Sequence, residues 1–238
     1  MMKIAIISDI HANLPALEVV LEDIKKNKCE HVFVLGDLVG YYHWPQQVVA
    51  KIMALPHCTV IRGNHEDLLM ESQKNPDFAA QCREKYGNGL QVALKTLSPS
   101  EIHWLSELPT HKTLQLDGID FSLFHGSEKE VNEYIYPDSS KTRIDDMGTA
   151  QSDYVFYGHT HYPVVFNRGQ TTVANPGSVG QPRDIGSLAS YLILNTKNGA
   201  LMQRRLPFNS QAVRDKVLEC DPTYTYLTDI LKRNNSYA

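Results

Sequence analysis

Short apolar runs alternate along the first third of the chain with longer segments whose apolar residues recur at helical spacing. Three of these segments are predicted strands and two are predicted helices lying between them: Lys3–Ile7, His31–Leu35 and Thr59–Ile61 for the strands, Pro15–Lys26 and Gln46–Ala54 for the helices. Strands that alternate with helices indicate βαβ units and a sheet that is at least partly parallel.

The second part of the chain changes from helical to strand-like patterning. Residues 66–108 are predicted to be mainly helical, with breaks near Pro76 and at Ser98-Pro99, and Ser98 with Glu101 has the spacing of a capping box. Asp117-Gly118 then stands between two apolar runs, Leu114–Leu116 and Ile119–Phe124, which is a strong hairpin signal.

Further strands and a helical tail complete the pattern. The predicted strands are Tyr154–Tyr157, Val164–Asn167, Thr171–Ala174, Ala189–Leu194 and Leu201–Arg205, and residues Ser210–Leu231 are predicted to be helical. This order suggests two packed sheets with helices outside, and propensity alone does not separate that arrangement from a three-layer sandwich. We find no repeat or linker, so residues 1–238 are predicted to form a single domain.

Composition narrows the function classes. Lys plus Arg number 23 against 27 Asp plus Glu, so no broad positive charge favours nucleic acid or an anionic membrane. The four cysteines are far apart and do not form a zinc or redox pair. No apolar run approaches the roughly 20 residues of a membrane span. We therefore expect a cytoplasmic protein without membrane or nucleic-acid partners, and a homo-oligomer is left open.

Metal-binding residue types follow five successive predicted strands. They are, in chain order, Asp9 and His11, then Asp37, then Asn64 with His65, then His125, and finally His159 and His161. In sheets of this kind the loops at the carboxyl ends of strands converge on the ligand crevice. Each pair alone is weak evidence, because Gly36-Asp37 also suits a tight turn and Asn64 also suits a helix N-cap. Five strand ends together predict a metal site.

The mixture of imidazoles, carboxylates and one amide suits Mn²⁺, Fe²⁺, Zn²⁺, Co²⁺ or Ni²⁺ better than Ca²⁺ or a thiolate metal. A carboxylate can bridge two such cations about 3.5–4 Å apart in hydrolytic sites, where they clamp phosphoryl oxygens and acidify a bridging water. The chain has neither a G-x-S-x-G elbow nor a C-x₅-R loop, so no protein nucleophile is indicated. We expect two divalent transition-metal ions, with Mn²⁺ first.

The motif series resembles the calcineurin-like metallophosphoesterase superfamily. The matching stretches are Ser8-Asp9-Ile10-His11, Gly36-Asp37, Gly63-Asn64-His65-Glu66, His125 and Gly158-His159-Thr160-His161. The segment NPGSVGQPR at 175–183 extends the likeness toward the compact bacterial and archaeal phosphodiesterase branch. The resemblance implies an α/β fold, a four-layer αββα sandwich of two mixed sheets flanked by helices.

The resemblance also implies roles for individual residues. One metal is expected on Asp9, His11, Asp37 and His161, and the other on Asp37, Asn64, His125 and His159, with Asp37 bridging. The catalytic residues implied are Asp37 and His65, the latter contacting the scissile phosphate and assisting the leaving oxygen. Glu66 is expected to hold the ring or the backbone of His65 from its neighbouring position.

Substrate selection must come from outside this ligand set. Arg62 and Arg183 are candidates for gripping a non-reacting phosphate, with a surface salt bridge as the alternative. Asn13 and Asn175 are candidates for bonding a substrate oxygen, with turn capping as the alternative. The aromatic stretch after Asp37 could stack a nucleobase or form the packed start of the next helix; it comprises Tyr41, Tyr42, His43 and Trp44.

We therefore expect a metal-dependent hydrolase of small-molecule phosphodiesters or nucleotides, such as cyclic nucleotides or dinucleoside polyphosphates. One alternative is a metal-dependent nuclease, which the acidic composition disfavours. The other is a catalytically silent scaffold of the same fold, which the complete ligand set disfavours. The phosphoprotein phosphatases of the superfamily carry G-D-x-V-D-R-G, whereas this chain continues from Gly36-Asp37 to Gly40-Tyr41-Tyr42, so protein phosphatase activity is not expected.

Overall fold

Two five-stranded sheets stack against each other in the computed structural model, which describes residues 1–147 and 152–235. The first sheet has the order β10-β9-β1-β2-β3. Its strands are β1 Lys3–Ile7, β2 His31–Val34, β3 Cys58–Val60, β9 Leu188–Asn195 and β10 Ala200–Pro207. The three N-terminal strands run parallel, and β9 pairs antiparallel with both β1 and β10.

The second sheet has the order β4-β5-β6-β8-β7. Its strands are β4 His111–Leu116, β5 Ile119–Phe124, β6 Tyr154–Phe156, β7 Pro163–Arg168 and β8 Thr171–Pro176. Parallel pairing of β5 with β6 and of β6 with β8 is flanked by antiparallel pairs at both edges. Both sheets are therefore mixed.

Most helices lie on the outer face of the first sheet. They are α1 Leu14–Lys26, α2 Pro45–Met53, α3 Asn64–Lys74, α4 Pro76–Tyr86, α5 Gly89–Thr96, α6 Pro99–Glu107, α8 Ser210–Cys220 and α9 Tyr226–Asp229. A short helix, α7 Lys141–Asp145, packs on the outer face of the second sheet. From one face of the molecule to the other, the layers are helix, sheet, sheet and helix, as the family resemblance implied.

The pleat of β1 explains why its sequence shows no polar face. Ile4 and Ile6 point into the layer between the sheets, where they pack with Phe121 and Phe156 of the second sheet. Ala5 and Ile7 join the cluster under the helices of the first sheet. Because both faces of a central parallel strand are covered, both must be apolar.

Two features predicted from short stretches of sequence, a capping box and a hairpin turn, are confirmed. The Ser98 hydroxyl accepts the Glu101 N–H at 3.3 Å, and the Glu101 carboxylate accepts the Ser98 N–H at 2.7 Å, which completes the capping box. Asp117 and Gly118 have φ of 55° and 78°, as a two-residue hairpin turn requires.

The segment Ser210–Leu231, which is predicted to be helical, is helical in two parts with a break between them. The α8 helix ends at Cys220, and the chain resumes helical structure only at Tyr226, followed by a 3-10 turn, Ile230–Lys232. Asp221 precedes Pro222, and the proline ring disfavours helical dihedrals for the residue before it. Across residues 1–147 and 152–235, no helix is long and apolar enough to cross a membrane.

Candidate metal centre

Loops from both sheets bring the predicted ligands to one buried place. Asp9 and His11 follow β1, Asp37 follows β2, and Asn64 opens α3 directly after β3, all from the first sheet. His125 follows β5, and His159 with His161 follows β6, from the second sheet. All seven side chains are buried. The convergence at strand ends that the sequence predicted is therefore what the fold produces, although the loops come from two sheets.

One group of ligand atoms comprises Asp9, His11 and His161. The His161 Nε2 atom lies 3.4 Å from Asp9 Oδ1, and the His11 Nε2 atom lies 3.8 Å from the same oxygen. The two Nε2 atoms are 3.0 Å apart. Three donors at these separations face one point, as ligands of a single cation do.

A second group is built around Asp37 and His125. The His125 Nε2 atom lies 3.3 Å from Asp37 Oδ2 and 3.0 Å from the Asn64 Oδ1 atom. His159 joins this group, with its ligand atom within 4.8 Å of the others. Asp37 Oδ2 is also 3.6 Å from His11 Nε2 of the first group. Asp37 thus lies between the two groups, the position that a bridging carboxylate must have.

Backbone carbonyls fix the direction of three imidazoles. The Nδ1 atoms of His11, His125 and His161 lie 3.2, 2.7 and 2.7 Å from the carbonyl oxygens of Val39, Leu35 and Gln181 respectively. A carbonyl only accepts, so each Nδ1 donates and each Nε2 carries its lone pair toward the centre. Metal-binding histidines commonly have such a partner on the other ring nitrogen.

Two atoms of the cluster that could bind a metal have no hydrogen-bond partner in the part of the chain that the structure describes. Asp9 Oδ1 and His159 Nε2 are buried without a hydrogen-bond partner among the described residues. Leaving buried polar atoms unpaired is costly unless a ligand satisfies them. Together with the nitrogen and oxygen donor set, this shows that the residues present fit divalent transition-metal ions.

The charges of the cluster support the same interpretation. Burial raises the pKa of Asp37, but the nearby His125 and His65 outweigh it and hold that pKa well below its usual value, so the carboxylate stays ionised. Burial, despite the opposing pull of nearby carboxylates, lowers the pKa of the ligand His159 to about 3. His125 is the exception: burial lowers its pKa, but the Asp37 carboxylate outweighs burial and raises it to about 10, so a cation that binds there would displace a proton. Neutral imidazole is the form that binds metals.

The ligands themselves occupy left-handed backbone. Asp9, His11, Asp37, His159 and His161 have φ of 54°, 50°, 55°, 65° and 64°. Such dihedrals are disfavoured for residues with a Cβ and concentrate at functional sites, where the surrounding fold maintains them. A glycine permits the close approach of two of these loops, since a Cβ on Gly63 would lie 2.2 Å from Asp37 Oδ1.

The role expected for Glu66 was wrong. Its buried carboxylate accepts the backbone N–H groups of Asp37, Leu38, Val39 and Gly63 at 2.8–3.2 Å and bonds neither the ring nor the backbone of His65. Glu66 therefore holds the loop after β2 in place. The reason is the direction of α3: a residue at the third helical position faces back over the helix start.

His65 lies beside the ligand groups rather than outside them. Its backbone N–H donates to Asp37 Oδ1 at 2.8 Å, and its ring centroid is 4.7 Å from that of His11. The Nδ1 atom is buried without a hydrogen-bond partner among the described residues. Its ligand atom also groups with those of His11 and Asp37. The position suits contact with a group bound at the centre.

Three of the four substrate-binding candidates are engaged within the protein. Asn13 accepts the Ala16 N–H and donates to the Gly180 carbonyl, so it caps α1. Asn175 donates to the Gly158 carbonyl and accepts the Gly177 N–H. Both are fully buried, and the capping alternative describes them.

The two arginine candidates differ. Arg62 forms an ion pair with Asp67 at 2.8 Å and donates to the Ser106 carbonyl at 2.8 Å, which is its salt-bridge alternative. Arg183 has no such pairing: its Nε is buried without a hydrogen-bond partner among residues 1–147 and 152–235. Only Arg183 keeps a free guanidinium near the centre.

The aromatic stretch after Asp37 divides between two roles. The Tyr41 ring lies 4.6 Å from His11 and 4.7 Å from His65 between centroids, whereas Tyr42 is fully buried and donates to the Leu227 carbonyl. His43 pairs with Asp221 at 2.6 Å, and Trp44 directly precedes α2 and packs on the core. Tyr41 alone faces the centre, and the other three begin the next element.

Sequence reasoning missed two tyrosines at the rim of the centre. Tyr134 stacks on His159 with ring centroids 4.1 Å apart, and Tyr86 lies 5.2 Å from His65. Tyr134 belongs to the segment between β5 and α7, and Tyr86 ends α4. Neither stands next to a ligand motif, so no local signal marked them.

The buried cluster of ligand-type residues and the two stacked mixed sheets are the features expected of a metallophosphoesterase. The model of the calcineurin-like phosphoesterase superfamily domain matches residues 2–199. The chain belongs to this family. The resemblance inferred from the motif series is thereby confirmed.

Relatives come from bacteria and archaea. The chain is 31% identical to the uncharacterized protein MJ0912 of Methanocaldococcus jannaschii, over 91% of this chain and 92% of that protein. It is 29% identical to the phosphodiesterase YfcE of Escherichia coli K12, over 82% and 88% of the two chains. A metallophosphoesterase structure from Sphaerobacter thermophilus aligns with a TM-score of 0.77 at 27% identity, covering 97% and 98%.

Proposed function

We propose that this protein hydrolyses small phosphodiesters with the help of two divalent transition-metal ions. The observation that carries the proposal is the position of Asp37, which belongs to one ligand group and lies 3.6 Å from His11 Nε2 of the other, with three Nε2 atoms directed inward by carbonyl bonds. The likeness to a phosphodiesterase at 29% identity supports the diester over the monoester.

In this proposal Asp9, His11, Asp37 and His161 hold one cation, and Asp37, Asn64, His125 and His159 hold the other. Cations held there would lower the pKa of a water molecule and stabilise the charge that develops during in-line displacement at phosphorus. The protein holds the carboxylates ionised and orients the imidazoles, so that little reorganisation is needed on substrate binding.

His65 is the proposed group for the leaving oxygen. Its pKa of about 4 keeps the imidazole neutral before substrate binds, with one N–H available to donate. A phosphoryl oxyanion beside it favours the charged form and raises that pKa, so the ring takes up a proton from solvent when substrate binds and then donates it to the departing oxygen, returning to the neutral form. Tyr41 and Tyr86 flank the ring and limit access of water.

Mn²⁺, a small-molecule phosphoester partner and a cytoplasmic setting are parts of the same proposal. Mixed imidazole and carboxylate ligands suit Mn²⁺ among several first-row metals. Free thiols suit a reducing compartment, and all four cysteines are free.

The direct test is hydrolysis of bis-p-nitrophenyl phosphate and p-nitrophenyl phosphate by metal-stripped protein, with Mn²⁺, Fe²⁺, Zn²⁺, Co²⁺ or Ni²⁺ added back. We expect metal-dependent cleavage that favours the diester, with Mn²⁺ most effective. Preference for the monoester would contradict the phosphodiesterase assignment. Absence of metal uptake would favour the scaffold alternative, and salt-sensitive binding of DNA would favour the nuclease.

A further inference from the structure

Arg183 differs from three other partly buried arginines of this protein, which are paired with carboxylates. Arg62, Arg204 and Arg205 each have a carboxylate oxygen within 2.5–2.9 Å. In the part of the chain that the structure describes, no carboxylate lies within 4 Å of Arg183, and its Nε finds no acceptor. A buried guanidinium N–H without an acceptor is costly unless an anion arrives to pair with it.

The chain places this guanidinium beside the metal centre. Gln181, two residues earlier, accepts the Nδ1–H of the ligand His161 at 2.7 Å. The Arg183 side chain lies within electrostatic range of the Asp9 carboxylate and of the Tyr41, Tyr134 and Tyr226 hydroxyls. It therefore lies between the proposed metal ligands and the aromatic rim.

A second cation continues this path outward. The Lys85 Nζ atom lies 5.0 Å from the centre of the Tyr86 ring, and Lys85 is within electrostatic range of Tyr134 on the opposite side. No carboxylate among the described residues lies within 4 Å of Lys85. The half-buried Arg183 and the exposed Lys85 are thus both near Tyr134 at the rim, in a chain whose net charge is −4.

We propose that Arg183 binds a second phosphate of the substrate, next to the phosphoryl group that reacts. Arginine presents a planar fork that matches two phosphate oxygens. Resting on the proposed function, this deepens it: the substrate class is a nucleotide with at least two linked phosphates, such as a dinucleoside polyphosphate. A cyclic nucleotide has one phosphate and leaves the guanidinium unpaired.

The experiment compares diadenosine tetraphosphate, cyclic AMP and bis-p-nitrophenyl phosphate with the Mn²⁺-loaded full chain. The first two share the adenine base, so the number of phosphates is what separates them. We expect kcat/KM for the tetraphosphate to exceed that for cyclic AMP. In Arg183→Gln it falls by roughly 10-fold or more, mainly through KM, the scale of a charged hydrogen bond. Hydrolysis of bis-p-nitrophenyl phosphate is expected to stay within about twofold.

Two matched variants serve as controls for the effect of Arg183→Gln. Arg183→Lys keeps the charge without the fork and is expected to fall between the wild type and Arg183→Gln. Arg204→Gln removes the same charge from a paired arginine on β10 and is expected to leave all three substrates unaffected. Calorimetric binding of ADP and AMP gives a readout without turnover: ADP binds more tightly than AMP in the wild type, and Arg183→Gln abolishes the difference.

Failure of the second-phosphate subsite and failure of the proposed function would give different results. If the wild type does not cleave bis-p-nitrophenyl phosphate, the proposed function fails. If it cleaves that diester but prefers cyclic AMP, or if Arg183→Gln slows the diester as much as the tetraphosphate, the second-phosphate subsite is overturned. In the latter case Arg183 serves the reacting phosphate instead.

Discussion

Asp23 is partly buried and Asp37 is fully buried, and both lie against the first sheet, yet their hydrogen-bond partners differ in kind. Asp23, on α1, accepts two N–H groups of Arg204 at 2.9 Å each and the Tyr191 hydroxyl at 2.6 Å. Every carboxylate oxygen there has a protein donor, and the cluster joins α1 to β9 and β10.

The carboxylates of the metal centre are only half satisfied. Asp37 Oδ1 accepts the His65 N–H, and Asp9 Oδ2 accepts the His159 N–H. The other oxygen of each faces the imidazole nitrogens, and Asp9 Oδ1 has no donor in the part of the chain described. A backbone N–H thus orients each carboxylate while one oxygen stays available.

The number of hydrogen-bond partners distinguishes a carboxylate that stabilises the fold from one that can bind a ligand. A fully paired buried charge holds two elements together and has no capacity left for a ligand. A buried charge held by one oxygen costs stability, which the fold tolerates when a cation completes the coordination. The same distinction separates Arg204 from Arg183.

The largest loss of activity is expected for Asp37→Asn. Removing the charge shared by both ligand groups is expected to lower kcat/KM by roughly three orders of magnitude and to reduce metal content, since both cations lose a ligand. The fold is expected to persist. Metal analysis and kinetics with bis-p-nitrophenyl phosphate measure this.

The matched control is the same substitution at the paired site. Asp23→Asn is expected to retain wild-type metal content and kcat/KM. Two metals per chain in Asp37→Asn would contradict the bridging position assigned to this residue.

His65→Ala tests a residue that touches the centre without an assigned ligand role. Turnover is expected to fall by about 10²–10⁴-fold, the range of a positioned proton donor, with metal stoichiometry unchanged. His103→Ala, at an exposed position on α6, is the control and is expected to leave both unchanged. If metal is lost instead, His65 is a ligand, as its grouping with His11 and Asp37 would allow.

Metal removal addresses the cost of the half-satisfied centre. Adding Mn²⁺ to stripped protein at about 100 times its Kd is expected to add at least about 2.7 kcal/mol to the free energy of unfolding, the value for a single occupied site. That corresponds to a Tm higher by roughly 5–10 °C for a chain of this size. Thermal unfolding with and without Mn²⁺ measures it, and Asp37→Asn is expected to lose most of the shift. An equal shift in that variant would mean that the metal stabilises the fold elsewhere.

The smallest effect is expected for Asp23→Asn, on stability alone. Loss of its charged hydrogen bonds is expected to cost about 1–2 kcal/mol in the free energy of unfolding at neutral pH. The bond with Arg204, against the opposing effect of burial, lowers the pKa of Asp23 in the folded state. Its stabilisation is therefore complete above the unfolded pKa of about 3.9 and is lost as pH falls through the folded pKa.

Denaturant unfolding from pH 3 to pH 8 checks the sign. The difference between wild type and Asp23→Asn should be constant above about pH 5 and shrink in acid. A difference that grows toward low pH would show that Asp23 does not act through its ionised form.

Much of the centre could be predicted from the sequence, because its parts are local. Asp9 and His11 follow one apolar run, Asp37 follows another, and strand ends converge at one edge of a sheet. The capping box at Ser98 and the turn at Asp117-Gly118 are local for the same reason. Features that depend only on neighbours along the chain can be recognised from the order of the residues.

Tertiary structure decided what depends on distant partners. Asn13 and Asn175 could not be separated from substrate-binding groups until Gly180 and Gly158 were placed beside them. Glu66 was misassigned because its four donors lie partly in another loop, and Tyr134 was missed because it reaches His159 from a different strand connection.

The sequence by itself determined the family, the two-sheet fold and the identity of the residues at the strand ends. Only the folded chain decided which of them retain unpaired atoms. Hydrogen-bond satisfaction is a property of three-dimensional neighbours, so Arg62 and Arg183 look alike in the sequence, while one is paired with Asp67 and the other is left facing the site.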